Sequence, residues 1–248
     1  ERAGHRGLRA MLRSLTYVIV AYIQAERHIA IMADTTTKKR RYHHGDLRAA
    51  LLDAAETLIA REGALDFTLA DASRMAGVST AAPYRHFVDK EDLLDAVRAR
   101  GFERLTQAMR AEIAALDRPG TVDDIIAIGL AYVRFAIREP NIFRLMFGSR
   151  HQPRPDALSR QVGEACFGTL LERVTLWRER SGVAGPDTRT VALPLWSLVH
   201  GIATLQIDRD FDAVAPGTRT DPIVDFATRH YLAGLDAGGA APSGQSSA

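Results

Sequence analysis

Few side chains in this sequence have the types and spacing that catalysis or metal binding requires. Cys166 is the single cysteine, which excludes an internal disulfide framework and a multi-cysteine zinc site. His43 and His44 are adjacent and so point in different directions, and no further histidine or cysteine follows at a spacing of three or four residues, so metal binding is not expected. His200 stands alone in an apolar helical segment, where a histidine satisfied within the core is commoner than a general base. We therefore expect no enzyme activity, no metal and no cofactor.

Motifs and charge support the same expectation. The sequence has no glycine-rich phosphate loop, zinc-protease helix, serine-hydrolase elbow or paired C-x-x-C motif. Cys166 lies at helical spacing among apolar residues and is interpreted as a small buried hydrophobe. The formal net charge is only +2 over 248 residues, so any nucleic-acid binding must use a local basic surface.

The elements that would position such a surface are predicted in residues 68–90. Thr68 can cap a short helix, and Asp71, three residues later, can reach back in a variant of the capping box. Gly77 stands where a helix must end in the left-handed conformation that glycine adopts without steric cost. The pattern predicts a short helix followed by a tight turn.

A second short helix is predicted after the turn. Either Ser79 or Thr80 can act as its N-cap. If Thr80 is the cap, Pro83 falls at the third helical position, where its missing N–H has no intrahelical partner anyway. The helix is expected to end near Phe87, and Asp89 to cap the next helix with Asp92. Two helices joined by a glycine turn are typical of the helix-turn-helix, although an ordinary helical corner shows the same pattern.

The exposed side of the second helix carries the candidate base contacts. Thr80 and Ala81 offer methyl groups for thymine, and Arg85 can bind guanine or phosphate. Tyr84 and His86 have polar tips that can donate to phosphate oxygens. The mini-core that should orient this helix is apolar: Phe67, Leu69, Met75, Val78 and Phe87. Ala82 is either buried or base-facing.

A basic run precedes the domain and could follow the phosphates or enter the minor groove. It consists of Lys38, Lys39, Arg40 and Arg41.

At this point the sequence resembles the TetR family of transcriptional regulators. The resemblance is strong in residues 41–63 and 76–94 and continues in FAIREPNIFRLMF (135–147) and WSLVHGIATL (196–205). The last segment is similar to a subgroup with a W-x-x-x-H-G signature. The positions ahead of the turn are Ala72 and Ser73, which are small enough for close helix approach but bury less apolar surface than the family pattern.

The resemblance implies a DNA-binding homodimer with a small-molecule effector. It places Tyr84 and Lys90 against the DNA backbone, and it assigns dimerisation to the last two long helices. The complete set of candidate DNA contacts is Lys39, Arg40, Arg41, Arg48, Thr68, Ser79, Thr80, Ala81, Ala82, Tyr84, Arg85, His86 and Lys90. The candidate dimer contacts are Val199, Ile202, Phe226, His230 and Tyr231, which give these helices more apolar surface than one side needs.

The remainder of the chain is predicted to be all-α. Helices are expected at residues 46–61, 90–116, 122–137, 141–147, 157–180, 186–205 and 222–235. Thr121 and Asp124 form a capping-box-like start for the helix from residue 122. The second half of the chain has more apolar helix surface than its helix pairs require, and this surface could line a ligand cavity, although a filled core has the same composition. The candidate ligand residues are Phe135, Phe143, Met146, Phe147, Phe167, Trp196 and His200.

We divide the chain into an extension and basic arm (1–40), a helix-turn-helix domain (41–90), an effector-binding and dimerisation domain (91–235) and a disordered tail (236–248). Residues 15–23 are apolar but shorter than the ~20 residues that span a bilayer, so no membrane partner is expected. Residues 1–31 are interpreted as an upstream extension, with an amphipathic helix as the alternative.

The functional hypothesis is a repressor whose dimer binds a palindromic operator and is released by a largely apolar effector. The helix from Lys90 would carry the change in recognition-helix spacing. Two alternatives remain open at this stage. One is a protein of the same fold that binds or converts a small molecule without binding DNA, and the other is a DNA binder that needs no effector.

Overall fold

A computed structural model describes residues 47–62, 65–148, 157–183 and 185–239, all of which belong to one compact unit that begins at Asp46. The predictions for the N-terminal extension, for Lys38, Lys39, Arg40 and Arg41, and for the adjacent histidines lie outside the described residues.

The described chain consists of helices and their connections, and no β-strand occurs within these ranges. The helices are α1 (Leu47–Glu62), α2 (Leu69–Met75), α3 (Lys90–Ala114), α4 (Val122–Arg138), α5 (Pro140–Phe147), α6 (Ala157–Ser181), α7 (Thr188–Ile207), α8 (Asp210–Val214) and α9 (Thr220–Gly239). The all-α prediction is therefore confirmed. Helix α8 had no clear sequence signal, and α9 continues into the part of the tail that was expected to be disordered.

Local hydrogen bonds explain where the N-terminal helices begin. The Thr68 hydroxyl oxygen accepts from the Asp71 backbone N–H at 3.2 Å, and the Asp71 carboxylate accepts from the Thr68 backbone N–H at 2.8 Å, which completes the predicted capping box. Gly77 has φ +70°, as the turn requires. Asp89 accepts the Asp92 backbone N–H at 2.9 Å and caps α3.

Three local predictions were wrong. Thr121 makes no side-chain cap; instead, Asp124 accepts the Gly120 backbone N–H at 2.5 Å. Met75 is 38% exposed, because it lies on the outer side of α2 rather than in the mini-core. The second helix of the helix-turn-helix is not a continuous α-helix, since residues 80–86 form turns around a single 3₁₀ turn at Pro83–Arg85.

One continuous apolar core joins the two ends of the molecule. Helix α3 is its axis and packs against α1, α4, α5 and α6, while α7 packs against α4, α6 and α9. Ala72 and Ser73 are fully buried, which confirms that small residues allow close helix approach at this position. Because α3 packs against both the N-terminal helices and the C-terminal helices, it fixes the orientation of the N-terminal helices relative to the C-terminal bundle.

Helix α7 is long and apolar enough to cross a membrane by length and composition alone, and only a third of its most apolar window is buried. Its inward side chains, including Val191, Leu195 and Ile202, pack into the core. Its outward side carries Leu193 and Leu205, which are 42% and 41% exposed. The apolar composition of α7 therefore reflects one core-packing face and one exposed face.

Candidate nucleic-acid interface and ligand cavity

The turn between α2 and α3 presents a strip of exposed side chains. Pro83 and Phe87 are buried and anchor the segment to the core of the N-terminal helices. Between and before these anchors, the candidate contact residues Ser79, Thr80, Ala81, Tyr84, Arg85 and His86 are exposed, and Ala82 is half-buried. Tyr84 is 64% exposed, so its phenol is available to a ligand or a phosphate. The structure therefore brings these predicted contacts onto one surface.

Pro83 accounts for the broken helix in this strip. Pro83 has no N–H to donate to the Ser79 carbonyl, and the Ala82 backbone N–H donates to that carbonyl at 3.0 Å instead. The His86 and Phe87 N–H groups then both donate to the Pro83 carbonyl, at 2.8 and 2.9 Å. The exposed strip is consequently held by tight turns and buried anchors rather than by a full α-helical ladder.

Two candidate cations beside the strip lie against aromatic rings of the mini-core. The Arg48 guanidinium lies 5.3 Å from the centroid of Phe87. The Lys90 ammonium lies 5.2 Å from the centroid of Phe67 and donates to the Leu65 carbonyl oxygen. Such contacts hold the cation over the ring by electrostatic attraction to its π face.

Thr68 and Arg85 differ in how free their polar groups are. The Thr68 hydroxyl donates to Asp71 at 2.6 Å, so its capping function occupies it. Arg85 is exposed and makes no ion pair with any residue that the structure describes. Arg85 can therefore approach DNA without breaking an internal contact, whereas Thr68 would have to give up its hydrogen bond to Asp71.

The C-terminal bundle contains a cavity of about 630 Å³ between α3, α4, α6, α7 and α9, with the end of α5 in its wall. Of the predicted ligand residues, Phe147, Phe167 and Trp196 line it. The wall also contains Phe102, Met109, Tyr132, Leu171 and Val199, none of which the sequence analysis selected as a ligand residue; Val199 was expected at the dimer interface instead. Their only signal was helical apolar periodicity, which is shared with every core residue. The volume and the apolar wall are suited to a small organic ligand.

The other predicted ligand residues lie behind this wall. Phe135, Phe143 and Met146 are 0%, 2% and 6% exposed and belong to the packed core. His200 packs against Phe147, with ring centroids 4.9 Å apart. These four side chains do not contact the interior of the cavity; they support the side chains that line it.

His200 is held by a polar partner inside the aromatic cluster. Its Nδ1 atom and the Tyr132 hydroxyl are 2.8 Å apart, and desolvation lowers the pKa of the imidazole. Desolvation raises the pKa of the Tyr132 phenol, so both rings are neutral near pH 7. The interpretation of His200 as a satisfied core histidine agrees with this geometry.

Cys166 also lines the cavity but is chemically quiet. Its side chain is buried, and desolvation raises the pKa of the thiol to about 11. The nucleophilic thiolate is therefore scarce at neutral pH. No group of three potential metal ligands occurs in the described ranges.

The candidate dimer residues divide into two sets. Val199 and Ile202 are 7% and 5% exposed, because they face the core of their own protomer. On α9, by contrast, Phe226 is 63% exposed and stacks with the exposed His230 at a centroid distance of 3.8 Å. Tyr231 is half-buried and donates to the Val191 carbonyl at 3.3 Å. The exposed large apolar residues of α7 and α9 are Leu193, Leu205 and Phe226.

Helix α5 connects the cavity to the N-terminal helices. Phe147 at its end lines the cavity, whereas Asn141 at its start donates to the Ile59 carbonyl of α1 at 3.1 Å. Beside this contact, Arg104 of α3 bridges Glu56 of α1 at 2.9 Å and Glu139, immediately before α5, at 2.7 Å. The start of α5 is thus attached to both α1 and α3.

This arrangement defines an all-α DNA-binding regulator with a helix-turn-helix and a ligand-type cavity. Two sequence families match the chain: "Bacterial regulatory proteins, tetR family" at residues 51–97 and "Tetracyclin repressor-like, C-terminal domain" at residues 125–231. The nucleoid occlusion factor SlmA of Aliivibrio fischeri is 30% identical over 165 residues, which cover 63% of this chain and 81% of the relative. The chain belongs to the TetR family and is a DNA-binding transcriptional regulator.

Further relatives share the same organisation. An HTH-type transcriptional regulator of Mycobacterium tuberculosis, Rv0472c, is 27% identical over 208 residues, 82% of this chain and 84% of the relative. A protein of unknown function from Rhodococcus sp. RHA1 has a TM-score of 0.70 at 32% identity, covering 79% of this chain and 99% of the other. The fatty acid degradation regulator FadR of Bacillus halodurans, at 15% identity and a TM-score of 0.61, shares the fold over 76% of this chain and 95% of its own.

Proposed function

We propose that this regulator is a homodimeric repressor that leaves a palindromic operator when a largely apolar small molecule enters the 630 Å³ cavity. The observation that carries the proposal is helix α5, which has one end in the cavity wall and the other bound to α1. Helix α5 has eight residues, so it spans about 12 Å. A ligand that displaces Phe147 would act directly on the α1 attachment at Asn141.

The coupling would be transmitted by rigid elements. Helix α3 runs for 25 residues from the DNA-facing Lys90 to the C-terminal bundle, and Arg104 joins it to α1 and to the start of α5. A tilt of α3 would change the separation of the two recognition segments in a dimer. The ligand can shift this equilibrium only by its difference in affinity between the two geometries.

The dimer would form through the outer faces of α7 and α9. Leu193, Leu205 and Phe226 supply exposed apolar surface there, and His230 and Tyr231 flank it. Two recognition segments related by a two-fold axis would meet half-sites about 34–36 Å apart or slightly more. Trp196 and His200 lie in the span matched by the C-terminal family, and we include the W-x-x-x-H-G subgroup in the proposal.

At the DNA, Thr80 and Arg85 would lie nearest the bases, and Tyr84 and Lys90 would contact phosphates. The exposure of Thr80, Tyr84 and Arg85 supports these assignments. We further propose that the protein acts in the cytoplasm by binding alone, without catalysis or a cofactor. The protonated Cys166 thiol and the engaged His200 support this part of the proposal.

Footprinting on the DNA that flanks the protein's own gene, repeated with a ligand library, tests the proposal. We expect a protected palindrome that apolar compounds release. Leu171→Trp, which places an indole in the cavity wall, should keep DNA binding but lose the release. Leu158→Trp on the same helix is the matched control, since Leu158 is 46% exposed and does not line the cavity.

A protected site whose release is unaffected by Leu171→Trp would overturn the assignment of the effector to this cavity. The similarity to nucleoid occlusion factor SlmA supports a second candidate, a DNA binder that needs no effector. That candidate predicts a footprint that no compound releases and a melting temperature that no compound raises. Absence of any footprint, together with tight small-molecule binding, would instead favour a ligand-binding protein that has lost DNA recognition.

A further inference from the structure

The buried wall of the 630 Å³ cavity contains a hydroxyl group that has no partner among the described residues. It belongs to Thr228 of α9, which lines the cavity and is 2% exposed. Other helical threonines, such as Thr106 and Thr204, donate to the carbonyl four residues earlier, at 2.8 and 2.9 Å. Thr228 makes neither this bond nor any other side-chain hydrogen bond within the described ranges. Its Oγ1 keeps accessible surface, unlike the enclosed Oγ1 of Thr169, so a molecule in the cavity can contact it.

The interior around this hydroxyl is uncharged. The buried ionisable side chains in the cavity wall are Tyr132 and Cys166, which are 4% and 6% exposed. Desolvation raises the pKa of both groups, so both are protonated and neutral at pH 7. A charged group of a ligand would therefore lose its hydration in this interior without gaining an opposite charge.

The charged side chains of the cavity stand at its opening. The exposed residues in its lining are Glu164 of α6 and Arg189 and Leu193 of α7, so the cavity opens between these two helices. Neither Glu164 nor Arg189 forms an ion pair within the described part of the chain, and the Arg189 guanidinium lies 5.6 Å from the centroid of Phe167. Because one negative and one positive side chain share the opening, it gives a ligand anion or cation no net attraction.

Aromatic rings form a continuous part of the wall. The ring centroid of Phe147 lies 5.4 Å from that of Phe102 and 6.0 Å from that of Tyr132. On its other side, Phe147 lies 6.4 Å from Trp196, and Trp196 lies 6.2 Å from Phe167. All five rings line the cavity. Aromatic rings favour edge-to-face and offset contacts at these separations, so an aromatic ligand would extend an existing cluster.

We propose that the ligand of this cavity is an uncharged aromatic molecule with one hydrogen-bonding oxygen, of the phenol or ketone type, that pairs with the Thr228 hydroxyl. The inference rests on the proposed function, because it names the chemical class of the effector for the same cavity. The aromatic cluster favours a ring, and the Thr228 hydroxyl can either donate to or accept from the oxygen.

Other ligand classes fit the cavity less well. A pure hydrocarbon would exclude water from the Thr228 hydroxyl and leave it unpaired. A carboxylate beside Thr228 would be buried without a cation, and at the opening it would meet Glu164 as well as Arg189. An ammonium group meets the same two obstacles with the signs exchanged.

Three compounds with the same two rings test this chemistry: 4-phenylphenol, biphenyl and biphenyl-4-carboxylate. Calorimetric titration of the full-length protein at pH 7, without DNA, measures each affinity. We expect 4-phenylphenol to bind at least about fivefold more tightly than biphenyl, which leaves the Thr228 hydroxyl unpaired. It should bind at least about tenfold more tightly than biphenyl-4-carboxylate, whose charge must be desolvated.

Thr228→Val removes the hydroxyl and keeps the shape of the side chain. The preference for 4-phenylphenol over biphenyl should fall at least about fivefold in this variant. The ligand-free melting temperature should stay unchanged or rise, because the lost hydroxyl has no partner in the protein. Thr169→Val is the matched control, since Thr169 is similarly buried at 3% exposed and also lacks a partner among the described residues, but lies outside the cavity lining. Its preference should equal that of the wild type.

Leu171→Trp locates the ligand, because an indole in the cavity wall should abolish the binding of 4-phenylphenol. Binding that survives Leu171→Trp would place the ligand elsewhere and overturn the inference. A preference that Thr228→Val leaves unchanged, or that Thr169→Val reduces equally, would also overturn it. So would tighter binding of the carboxylate, or no heat of binding with 4-phenylphenol up to its solubility limit.

These outcomes are separate from those of footprinting, because no DNA is present in the titration. If the ligand class is wrong, other compounds can still release the operator and the proposed function stands. If no compound releases the operator, the proposed function fails while the affinities of the three compounds remain measurable.

Discussion

Lys90→Met provides the most direct test of the DNA-facing surface. The ammonium of Lys90 has internal contacts with the Leu65 carbonyl and the Phe67 ring, and its position at the start of α3 is beside the exposed strip. Methionine keeps a similar apolar length against Phe67 while removing the charge. The substitution therefore separates the electrostatic function of the side chain from its packing.

The expected magnitudes follow from these contacts. Loss of an exposed cation–π contact costs about 0.5–1 kcal/mol, and loss of one hydrogen bond costs about 0.5–1.5 kcal/mol. The free energy of unfolding should therefore fall by about 1–2 kcal/mol. In DNA binding, each phosphate contact contributes about 0.9 to the slope of log K against log salt, so a dimer that loses two contacts should lose about 1.8.

Fluorescence anisotropy with a labelled duplex, titrated at several salt concentrations, measures this slope. The contribution is independent of sequence, so non-specific duplex DNA is sufficient. Arg160→Met is the control, because Arg160 is an exposed cation on α6, away from the strip, and its removal should leave the slope unchanged. A Lys90→Met slope equal to that of the wild type would refute a phosphate contact by Lys90, whatever the change in stability.

Three further outcomes are expected. Thr68→Ala should lower the free energy of unfolding by about 1 kcal/mol through loss of the cap to Asp71, whereas Thr68→Ser should retain it, as measured by urea unfolding. Burial raises the pKa of the Cys166 thiol to about 11, so the thiol stays protonated in the folded state while the unfolded state ionises near pH 9. The free energy of unfolding should therefore fall between pH 8 and 9.5, and Cys166→Ala should fall less over the same range; the range stops below the pH at which Tyr132, whose pKa is also raised by burial, contributes. Phe226→Glu should convert the proposed dimer to a monomer in light scattering, whereas Val214→Glu on α8 should not, although Val214 is the more exposed of the two at 79% against 63%. A dimeric Phe226→Glu protein would contradict the proposed interface.

The α5 connection explains why the cavity and the DNA surface could not be related from sequence alone. Asn141 and Ile59 are 82 positions apart, and Arg104 contacts Glu56 and Glu139 from a third helix. No local pattern indicates that a polar side chain at a helix start will meet the carbonyl of a distant helix. The sequence predicted α5 itself correctly, because Pro140 is a favourable first helical residue and the following residues are apolar.

The cavity illustrates the same limit on a smaller scale. Phe143 and Phe147 belong to one short amphipathic helix, yet Phe143 is in the core and Phe147 lines the cavity. Their rings are only 4.9 Å apart. Which of the two rings faces the cavity depends on how closely α7 approaches α4. This approach is close because Gly129 of α4 has no side chain where Val199 of α7 packs.

The sequence alone determined the elements whose causes are local. Thr68 with Asp71 and Asp89 with Asp92 specify where two helices begin, because an N-cap side chain accepts a backbone N–H only two or three residues later. The left-handed Gly77 specifies the turn that ends α2. The helix-turn-helix and the all-α fold follow from these signals and from apolar periodicity, whereas the family came from the resemblance of residues 41–63 and 76–94 to TetR regulators.

The tertiary structure decided everything that depends on which faces meet. It placed Val199 and Ile202 inside the protomer, left Phe226 exposed, and broke the recognition helix at Pro83 between two buried anchors. It also left an apolar cavity between helices that the sequence shows only as amphipathic. The physical reason is that burial is a property of packed pairs of surfaces, whereas periodicity records only that a helix has an apolar side.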